Sequence, residues 1–281
     1  MTIINYVTRY YREFVGKIFE LGVNITHKPI IFQDPSGFFF RLEKGDQIAT
    51  YYQRGSVSGS SDLQKYISNS NLQLGSTCID IGCRVGTVSL PMWKKVGKSG
   101  IVISVDADPL NIEKIKMNFS LNGFPSKYVY HAAISNRIGF SQLRCYKGIN
   151  GWQTLGDPTF ASAYENYSIE VPTIIFSDLM EYFNLESADL VKIDVEGAEP
   201  MVLSGMVRFL QEKRIKCVIF EVNHLMLEGL GKTVDDLMCI WDNYDYDLYR
   251  LLSDGTLFKL SNKWPEKLIG DCIALARCDN Y

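Results

Sequence analysis

The sequence predicts an α/β protein whose mostly parallel β-sheet carries helices on both faces. From Leu74 onward, apolar segments of strand length alternate with helical patterns, as in chains that build parallel sheets through crossover helices. Three segments, IVISV, LVKIDV and CVIFEV, are nearly continuous in apolar and β-branched residues, which is typical of strands buried on both faces. The candidate parallel strands are residues 78–81, 101–105, 128–134, 190–195 and 217–222.

The C-terminal part of the sequence departs from this alternation. Residues 246–252 alternate apolar and polar side chains, residues 253–255 form a turn signal, and residues 272–276 are a short apolar run. Two strands with no crossover helix between them predict an antiparallel pair at the sheet edge. The expected sheet therefore has seven strands, with a parallel core and an antiparallel C-terminal hairpin.

The first strand runs into a glycine turn. The stretch CIDIGCRVGTVS at residues 78–89 places Asp80 at the end of an apolar run, followed by Gly82, Gly86 and a helical pattern. Glycines at such a turn let a ligand approach the backbone beside a helix N-terminus. The D-x-G-x-x-x-G spacing puts an acid at the mouth of the loop, which favours a cationic ligand over a pyrophosphate. Cys83 lies within the loop, where it either lines the ligand site or fills the core.

The second strand is followed by Asp106, twenty-four positions after Gly82. An acid about 20 residues beyond a glycine turn is placed to accept hydrogen bonds from ribose hydroxyls. The alternative is a solvated strand-end acid or helix cap. The next helix is marked by Asp108 at its start, Pro109 in its first turn and Gly123 at its end.

The fourth and fifth strands end in further carboxylates. DLVKIDVEGAEPMVLSG at residues 189–205 predicts a buried strand that ends in Asp194 and Glu196, and FEVNH places Glu221 and His224 after the fifth strand. Because the carboxyl ends of parallel strands meet at one edge, these groups are expected to share a site with the glycine turn. Asp194, Glu196 and His224 are candidate catalytic residues, although a lone histidine is more often structural, and Glu221 is a candidate substrate contact.

The segment GINGWQTLGDP at residues 148–158 lies outside the expected core strands. Its glycines, with Asn150 and Trp152, predict a mobile loop over an acceptor. Trp152 is a candidate for stacking on a sugar ring. The alternative is that its ring only pins the loop.

The ligand that best matches these acids is S-adenosylmethionine. It offers ribose hydroxyls to Asp106 and an ammonium to Asp80, and it carries no phosphate. A nicotinamide-dependent oxidoreductase is a weaker alternative, because the loop lacks the third glycine of G-x-G-x-x-G. Clustered acids can also hold a divalent ion, but the sequence shows no recognised ligand set, so no metal site is expected.

The combined motifs resemble the FkbM-type methyltransferase family, within the class I Rossmann-like methyltransferases. The likeness covers roughly residues 74–223, and K-x-D-x-E-G-x-E at residues 192–199 is its most specific element. It implies a Rossmann-like fold and S-adenosylmethionine-dependent methyl transfer, usually to a hydroxyl of a sugar, glycolipid or natural-product acceptor. By position, Asp80, Gly82 and Gly86 would hold the methionine part, Asp106 the ribose, and Ala132 and Ala133 the adenine, with Asp194 and Glu196 facing the methyl group and acceptor.

The glycine loop departs from the family pattern. Family members usually carry Ala and Asn where this chain has Cys83 and Arg84. An Asn would tie the loop down by side-chain hydrogen bonds, whereas Arg84 is expected to point to solvent or to pair with an acid of the site. A catalytically degenerate domain that binds cofactor or a partner therefore stays open as an alternative to an active O-methyltransferase.

The N-terminal residues 1–73 lack the strand–helix alternation and are expected to cap a methyltransferase domain at residues 74–281. Apolar residues at helical spacing predict an amphipathic helix that packs on this domain, with a peripheral membrane contact as the alternative. Interspersed charges argue against a signal peptide. The apolar stripe consists of Ile4, Val7, Tyr11, Phe14, Ile18 and Leu21.

Composition narrows the expected partners and compartment. The 281 residues carry a net charge of −3 with no basic block, which does not favour a nucleic-acid partner. No apolar run is long enough to span a bilayer. Seven scattered cysteines without a C-x-x-C pair indicate reduced thiols in a cytoplasmic protein. The expected partner is a small-molecule or glycan acceptor, and the oligomeric state is left open.

Overall fold

The computed structural model describes residues 3–44, 46, 50–51, 61–147, 149–261 and 264–277. Its helices are α1 (Ile3–Thr26), α2 (Ser61–Asn69), α3 (Ser89–Val96), α4 (Pro109–Leu121), α5 (Phe176–Tyr182), α6 (Glu199–Ser204), α7 (Val207–Gln211), α8 (His224–Glu228) and α9 (Val234–Met238). Its strands are β1 (Ile30–Gln33), β2 (Phe39–Leu42), β3 (Thr77–Ile81), β4 (Ile101–Asp106), β5 (Val129–His131), β6 (Ala133–Ser135), β7 (Gly139–Tyr146), β8 (Ile149–Thr154), β9 (Asn166–Ile175), β10 (Ala188–Ile193), β11 (Ile215–Asn223), β12 (Tyr246–Leu251), β13 (Leu257–Lys259) and β14 (Ile269–Ala276).

The main sheet has the mostly parallel, Rossmann-like arrangement that the sequence predicts. Its strand order in the described residues is β13-β12-β14-β11-β10-β3-β4-β5. The five strands from β11 to β5 run parallel, and β14 lies antiparallel between β11 and β12. The sequence predicts seven of these strands. The short strand β13 is an addition, because the turn at residues 253–255 folds the chain back onto β12 instead of leading to β14.

The third expected parallel strand, residues 128–134, is divided in the structure. Strand β5 extends the main sheet beside β4, whereas β6 pairs with β9 in a separate sheet of order β6-β9-β7-β8. The sequence analysis does not predict this second sheet. It contains, as β8, most of the segment that was expected to be a mobile loop, so that expectation is corrected: the segment pairs with β7.

The main sheet is buried on both faces, as its apolar strands predict. In β3, Ile79 and Ile81 pack in one core with Phe220 of β11, and Cys78 packs in the opposite core with Leu90 of α3. Successive side chains of a strand point to opposite faces, so a continuous apolar run supplies both cores. Because both faces of the sheet are packed, the strands are held in position, and the site is built from their ends.

The N-terminal elements share the second of these cores. Phe40 of β2 and the α2 residues Leu63 and Ile67 pack in the same cluster as Cys78 and Leu90. All five side chains are almost fully buried. The region before residue 74 therefore covers one face of the main sheet by hydrophobic contact.

Helix α1 is amphipathic, but its described apolar stripe does not face the protein. Tyr11, Phe14 and Ile18 are 68%, 63% and 54% exposed, whereas Gly16 and Val23 on the opposite side are buried. The described part of this stripe therefore does not provide the predicted packing, although Val23 of the same helix packs in the core shared with β2 and α2. Periodicity locates an apolar stripe without saying what covers it. In the described ranges, no helix is both long and apolar enough to cross a bilayer.

Candidate active site

A cavity of about 390 Å³ opens at the carboxyl edge of the main sheet. Strands β3, β4, β10 and β11 all end at its wall, which is the edge where open α/β sheets bind their ligands. Its size falls within the usual range of small-molecule sites. The charged and amide side chains in its wall are Arg84, Asp106, Asn111, Gln153, Lys192, Asp194, Glu196, Glu221 and Asp271.

The glycine turn forms the wall between β3 and β10. Gly82 has a φ of 77°, and a Cβ there would lie 1.8 Å from the carbonyl oxygen of Asp194. The two backbones thus approach more closely than any side chain would allow. Cys83 lines the cavity with a buried thiol. Gly86 instead faces α4, where a Cβ would lie 3.1 Å from Cγ1 of Ile115, and it is not part of the cavity wall.

Asp106 is held in a fixed position at the end of β4. Its Oδ2 accepts a hydrogen bond from the Arg84 backbone N–H at 2.7 Å. Its Oδ1 accepts from the Asp108 N–H at 2.9 Å and from Asn111 Nδ2 at 3.1 Å. Burial raises the pKa of Asp106, against the opposing effect of these donors. The carboxylate lines the cavity, and its Oδ2 retains the capacity to accept from a ligand hydroxyl.

Asp80 lies beneath the cavity and not in its wall. Its Oδ2 accepts from Ser89 Oγ at 2.5 Å, and its Oδ1 lies 3.4 Å from Nζ of Lys192. Lys192 is also buried, donates to the Gly82 carbonyl at 3.0 Å and lies 3.1 Å from Oδ2 of Asp194. One buried ammonium therefore connects the glycine turn to the ends of β3 and β10. The predicted direct contact of Asp80 with a ligand ammonium finds no support in this geometry.

Three carboxylates converge at the other end of the cavity. One oxygen each from Asp194, Glu196 and Glu221 lies within 4.8 Å of the other two. Burial, followed by the charges of Asp194 and Glu196, raises the pKa of Glu221 to about 10. Burial and Asp194 likewise raise the pKa of Glu196 well above its usual value. Asp271 of β14 adds a fourth acid, whose pKa burial and Asp194 raise to about 6. Burial and mutual repulsion therefore raise the proton affinity of this acidic cluster.

The turn that carries Glu196 has a strained backbone conformation and is held by hydrogen bonds. Glu196 has a φ of 54°, in the left-handed region that non-glycine residues rarely adopt. Its carbonyl accepts from Thr154 Oγ1 at 2.7 Å, which ties the turn to β8. The buried Glu199 supports it from below, because its Oε1 accepts from the N–H groups of Val195 and Gly197 at 2.9 and 3.4 Å. Burial raises the pKa of Glu199 to about 7.

Arg84 spans the space between the glycine turn and the second sheet. Its Nη2 donates to Tyr51 Oη at 3.2 Å, and a Cβ on Gly151 of β8 would lie 2.9 Å from its Cζ. Its positive charge opposes the rise in the pKa of Glu196. Arg84 lines the cavity and is half-buried, which does not support the solvent-exposed orientation, one of the two alternatives that the sequence leaves open.

The remaining wall is apolar and matches the positions predicted for an adenine. Ala132 and Ala133 both line the cavity and are 2% and 8% exposed. Ile134 and Leu143 continue this surface. Small side chains leave room for a flat ring next to Asp106.

Trp152 does not line the cavity. The side chains of β8 alternate, so Gly151, Gln153 and Leu155 face the cavity while Trp152 points away. The Trp152 ring packs edge-on against Phe160 and other aromatic rings. Gln153 takes the position expected of Trp152, and it donates to Oδ2 of Asp108 at 3.2 Å. The proposed sugar stacking on Trp152 finds no support in this geometry.

His224 is likewise outside the cavity wall. The Asn223 side chain accepts from the Leu225 N–H and caps α8, so the chain turns into a helix directly after β11. The His224 ring lies with Nδ1 3.4 Å from the Leu268 carbonyl oxygen. Its predicted role as a base therefore lacks the necessary contact with the site.

Asp271 is a site residue that the sequence analysis misses. It directly precedes the apolar run of β14, and that strand is antiparallel to its neighbours. The amino end of β14 therefore lies at the carboxyl edge of the parallel strands. From the sequence, an acid near the start of this strand can be assigned to the site only once the strand order is known.

The family comparison places these residues inside a known domain. A family model described as "Methyltransferase FkbM domain" matches residues 80–248, which is more than half of the chain. The chain therefore belongs to the FkbM methyltransferase family. The matched range contains the glycine turn, Asp106 and the acids at 194, 196 and 221. No curated protein sequence shows a significant match.

Similar solved structures include several methyltransferases. One is the methyltransferase FkbM from Methylobacillus flagellatus KT, with 13% identity, a TM-score of 0.45, and coverage of 81% of this chain and 52% of that chain. Another is an S-adenosylmethionine-dependent O-methyltransferase from Thermotoga maritima, with 11% identity, a TM-score of 0.44, and coverage of 90% and 79%. A third is an O-methyltransferase from Bacillus cereus in complex with S-adenosylhomocysteine, with 11% identity, a TM-score of 0.41, and coverage of 79% and 83%. The chain spans about half the length of the Methylobacillus protein.

Proposed function

We propose that this FkbM-family chain transfers a methyl group from S-adenosylmethionine to a hydroxyl of a sugar, glycolipid or natural-product acceptor. The observation that carries the proposal is the division of one cavity into two ends. One end holds the glycine turn, Asp106 and two small apolar residues, and the other holds Asp194, Glu196 and Glu221. The first end suits the cofactor, and the second suits an acceptor that must lose a proton.

The residues of the first end fit S-adenosylmethionine. Gly82 lines the cavity with backbone that carries no side chain, the Asp106 carboxylate in the wall can accept from a ribose hydroxyl, and Ala132 and Ala133 offer an apolar surface to adenine. When bound, the cofactor supplies an electrophilic methyl group on a positively charged sulfur. The negative charge of the cavity wall favours this cation electrostatically.

The acidic end supplies a place for the acceptor proton. In the transfer, the acceptor oxygen bonds to the methyl carbon as the carbon–sulfur bond breaks and its electron pair passes to sulfur. The hydroxyl proton must move to a base, and Asp194 or Glu196 stands where it can accept that proton. Burial and the charge of Asp194 raise the pKa of Glu196, so its carboxylate has a higher proton affinity than an exposed one. Most of the remaining rate enhancement comes from alignment of the two reactants.

Cysteine chemistry supports a cytoplasmic location for this activity. Six of the seven cysteines lie in the described residues and carry free thiols, of which five are buried. Free thiols persist in a reducing compartment.

Calorimetry with S-adenosylmethionine, S-adenosylhomocysteine and NAD tests the cofactor, and turnover tests the reaction. We expect both adenosyl compounds to bind and NAD not to bind. Transfer of labelled methyl from S-adenosylmethionine is then measured over a panel of sugars, glycolipids and hydroxylated natural products. Preferential binding of NAD would replace the proposal with an oxidoreductase. Cofactor binding with no transfer across the panel would favour a degenerate binding domain.

Two neighbouring residues on β8 provide a matched pair for the acceptor assay. Gln153 faces the cavity and Trp152 faces away from it. We expect Gln153→Ala to raise the KM for the acceptor and Trp152→Ala to leave this KM nearly unchanged. The opposite ranking would place the acceptor on the other face of β8.

A further inference from the structure

The acidic end of the cavity has the donor chemistry of a cation site. Asp194 and Glu196 come from the turn after β10, and Glu221 comes from β11, so two adjacent strands supply the three oxygens. All three donors are carboxylates. Hard divalent cations such as Mg²⁺, Mn²⁺ and Ca²⁺ prefer such oxygen ligands, whereas zinc sites usually include His or Cys.

The spacing of the three oxygens also suits one ion. They lie within 4.8 Å of one another. Oxygens bound to a common Mg²⁺ are about 3 Å apart when adjacent and about 4 Å apart when opposite, and those around Ca²⁺ are up to about 5 Å apart. Calcium is accommodated at this spacing, whereas magnesium requires the oxygens to lie within about 4 Å of one another.

A second, independent observation is the presence of buried carboxylate oxygens that lack a hydrogen-bond donor. Glu199 is 1% exposed, and its Oε2 has no partner in the described part of the chain. Oε2 of Glu221 is also shielded from solvent and has no donor there. The charge of Glu199 acts on both Glu196 and Glu221, which places it next to the cluster. Buried polar atoms without partners are rare, and each one calls for an explanation such as a bound ion.

The charges around the cluster do not balance. Asp194, Glu196, Glu221 and Asp271 line the cavity, whereas Lys192 and Arg84 are the positively charged side chains in the same wall. The Lys192 ammonium is shared between Asp194 and the buried Asp80, so it cannot neutralise the glutamates as well. A bound S-adenosylmethionine brings only one net positive charge. A divalent cation supplies the charge that is still missing.

We infer that Asp194, Glu196 and Glu221 bind one divalent, oxygen-preferring cation at the acceptor end of the cavity. This site departs from the expectation drawn from the sequence, which contains no recognised metal motif. The ligands come from two strands about 25 residues apart, so only the fold brings them together. The description of this end as the acceptor end rests on the proposed function, whereas cation binding does not.

The direct test is a titration of the intact protein with Mn²⁺ alone, followed by electron paramagnetic resonance of the free ion. We expect one site per chain with a dissociation constant at or below about 1 mM, and competition by Mg²⁺. Glu221→Gln and Glu196→Gln should each weaken Mn²⁺ binding at least about tenfold. Absence of saturation up to about 10 mM, or wild-type affinity in both variants, would overturn the inference.

The control variant is Glu228→Gln, which removes the same charge from an exposed position on α8 where the carboxylate accepts from Thr159. We expect its Mn²⁺ affinity to stay within about twofold of wild type. A loss equal to that of Glu221→Gln would mean that net charge alone attracts the ion, which contradicts a built site.

A measurement on the wild-type protein covers the case in which a variant fails to fold. Mn²⁺ broadens the amide resonances of nearby nuclei, so signals from residues 194–197 and 221–223 should disappear first in an ¹⁵N-labelled sample. Selective broadening elsewhere would refute the assignment. Calorimetry with S-adenosylhomocysteine in the absence of metal separates the two proposals. If the wild-type protein binds Mn²⁺ but not S-adenosylhomocysteine, the proposed function is refuted and the cation site remains.

Discussion

Asp106 and Glu221 both follow or end strands of the same sheet and line the same cavity, yet their surroundings are opposite. Asp106 accepts three hydrogen bonds from groups of its own strand end, loop and helix. Glu221 has a shielded oxygen with no donor in the described residues and two further acids beside it. The first carboxylate has its hydrogen bonds from the protein before any ligand binds. The second gains its missing partner only from a proton or another cation.

This contrast indicates how the two ends of the cavity differ in function. A carboxylate held by backbone and amide donors is suited to binding, because it is already ordered and loses little conformational freedom when the ligand binds. A group of carboxylates that repel one another is suited to proton transfer or ion binding, because its stability depends on what it takes up. Mutations at the two ends should therefore affect different measurements.

The largest effect is expected at the acidic end. Glu196→Gln and Asp194→Asn keep the size of the side chain and remove its charge. A positioned base contributes roughly 10²–10⁴-fold to the rate, so we expect turnover to fall by that factor. Affinity for S-adenosylhomocysteine, measured by calorimetry, should stay within about tenfold of wild type. A variant that loses cofactor affinity and keeps its turnover number would contradict the division of the cavity.

The second prediction concerns the backbone that joins the two ends. In Gly82→Ala the new Cβ meets the Asp194 carbonyl at 1.8 Å, and the residue must keep a φ of 77°. Gly37→Ala is the matched control, because its φ is 90° but nothing lies within 4 Å of the new Cβ. We expect the control to lower the free energy of unfolding by about 1 kcal/mol and Gly82→Ala by about 3 kcal/mol or more. Equal losses in the free energy of unfolding, measured with urea, would show that the close contact between β3 and β10 does not contribute to stability.

The sequence predicts the first end of the cavity better than the second. Gly82 and Asp106 belong to local signals, since a buried strand followed by a glycine or an acid is visible within a few residues. The meeting of Asp194 with Glu221 follows from a fold rule, because parallel strands end at one edge. Their charge imbalance is not visible in the sequence, since it depends on which donors each oxygen finds in three dimensions.

The errors in the prediction have a common physical origin. Asp271 is missed because an antiparallel strand places its start where parallel strands place their ends. Trp152 is assigned to the wrong side because the facing of an alternating strand is undefined until its sheet is known. The stripe of α1 containing Phe14 is exposed although it is apolar. In each case the role of the residue depends on its three-dimensional surroundings, which the local pattern does not contain.

The third prediction concerns the pH dependence of stability. Burial raises the pKa of Glu199 to about 7 in the folded protein, from 4.5 in the unfolded chain. Between these values the folded state binds more protons at Glu199 than the unfolded state does, so the stability that Glu199 contributes is fully present below about pH 4.5 and is lost as the pH rises through 7. The shift corresponds to at most about 3 kcal/mol.

Glu199→Gln isolates this contribution, because the amide oxygen can still accept from Val195 and Gly197. The free energy of unfolding, measured with urea, should fall between pH 5 and pH 8 in both proteins. This fall should be about 2–3 kcal/mol smaller in the variant than in wild type. The exposed Glu228→Gln should follow the wild-type curve. If Glu199→Gln loses as much stability as wild type between the two pH values, Glu199 is ionised throughout this range.

The smallest expected effect lies at the preorganised end. Asp106→Ala removes the proposed ribose acceptor but leaves the acidic cluster intact. S-adenosylhomocysteine should therefore bind about 1–3 kcal/mol more weakly, or roughly fivefold to 150-fold by calorimetry. Asp189→Ala is the control: this carboxylate accepts from the Thr77 N–H and from Lys216 at the amino end of β10, the opposite edge of the sheet. Its cofactor affinity should equal that of wild type. Because Asp106 takes no part in proton transfer, turnover of Asp106→Ala at saturating cofactor should change less than its affinity. If Asp106→Ala binds S-adenosylhomocysteine as tightly as Asp189→Ala does, Asp106 only caps the turn and the ribose lies elsewhere.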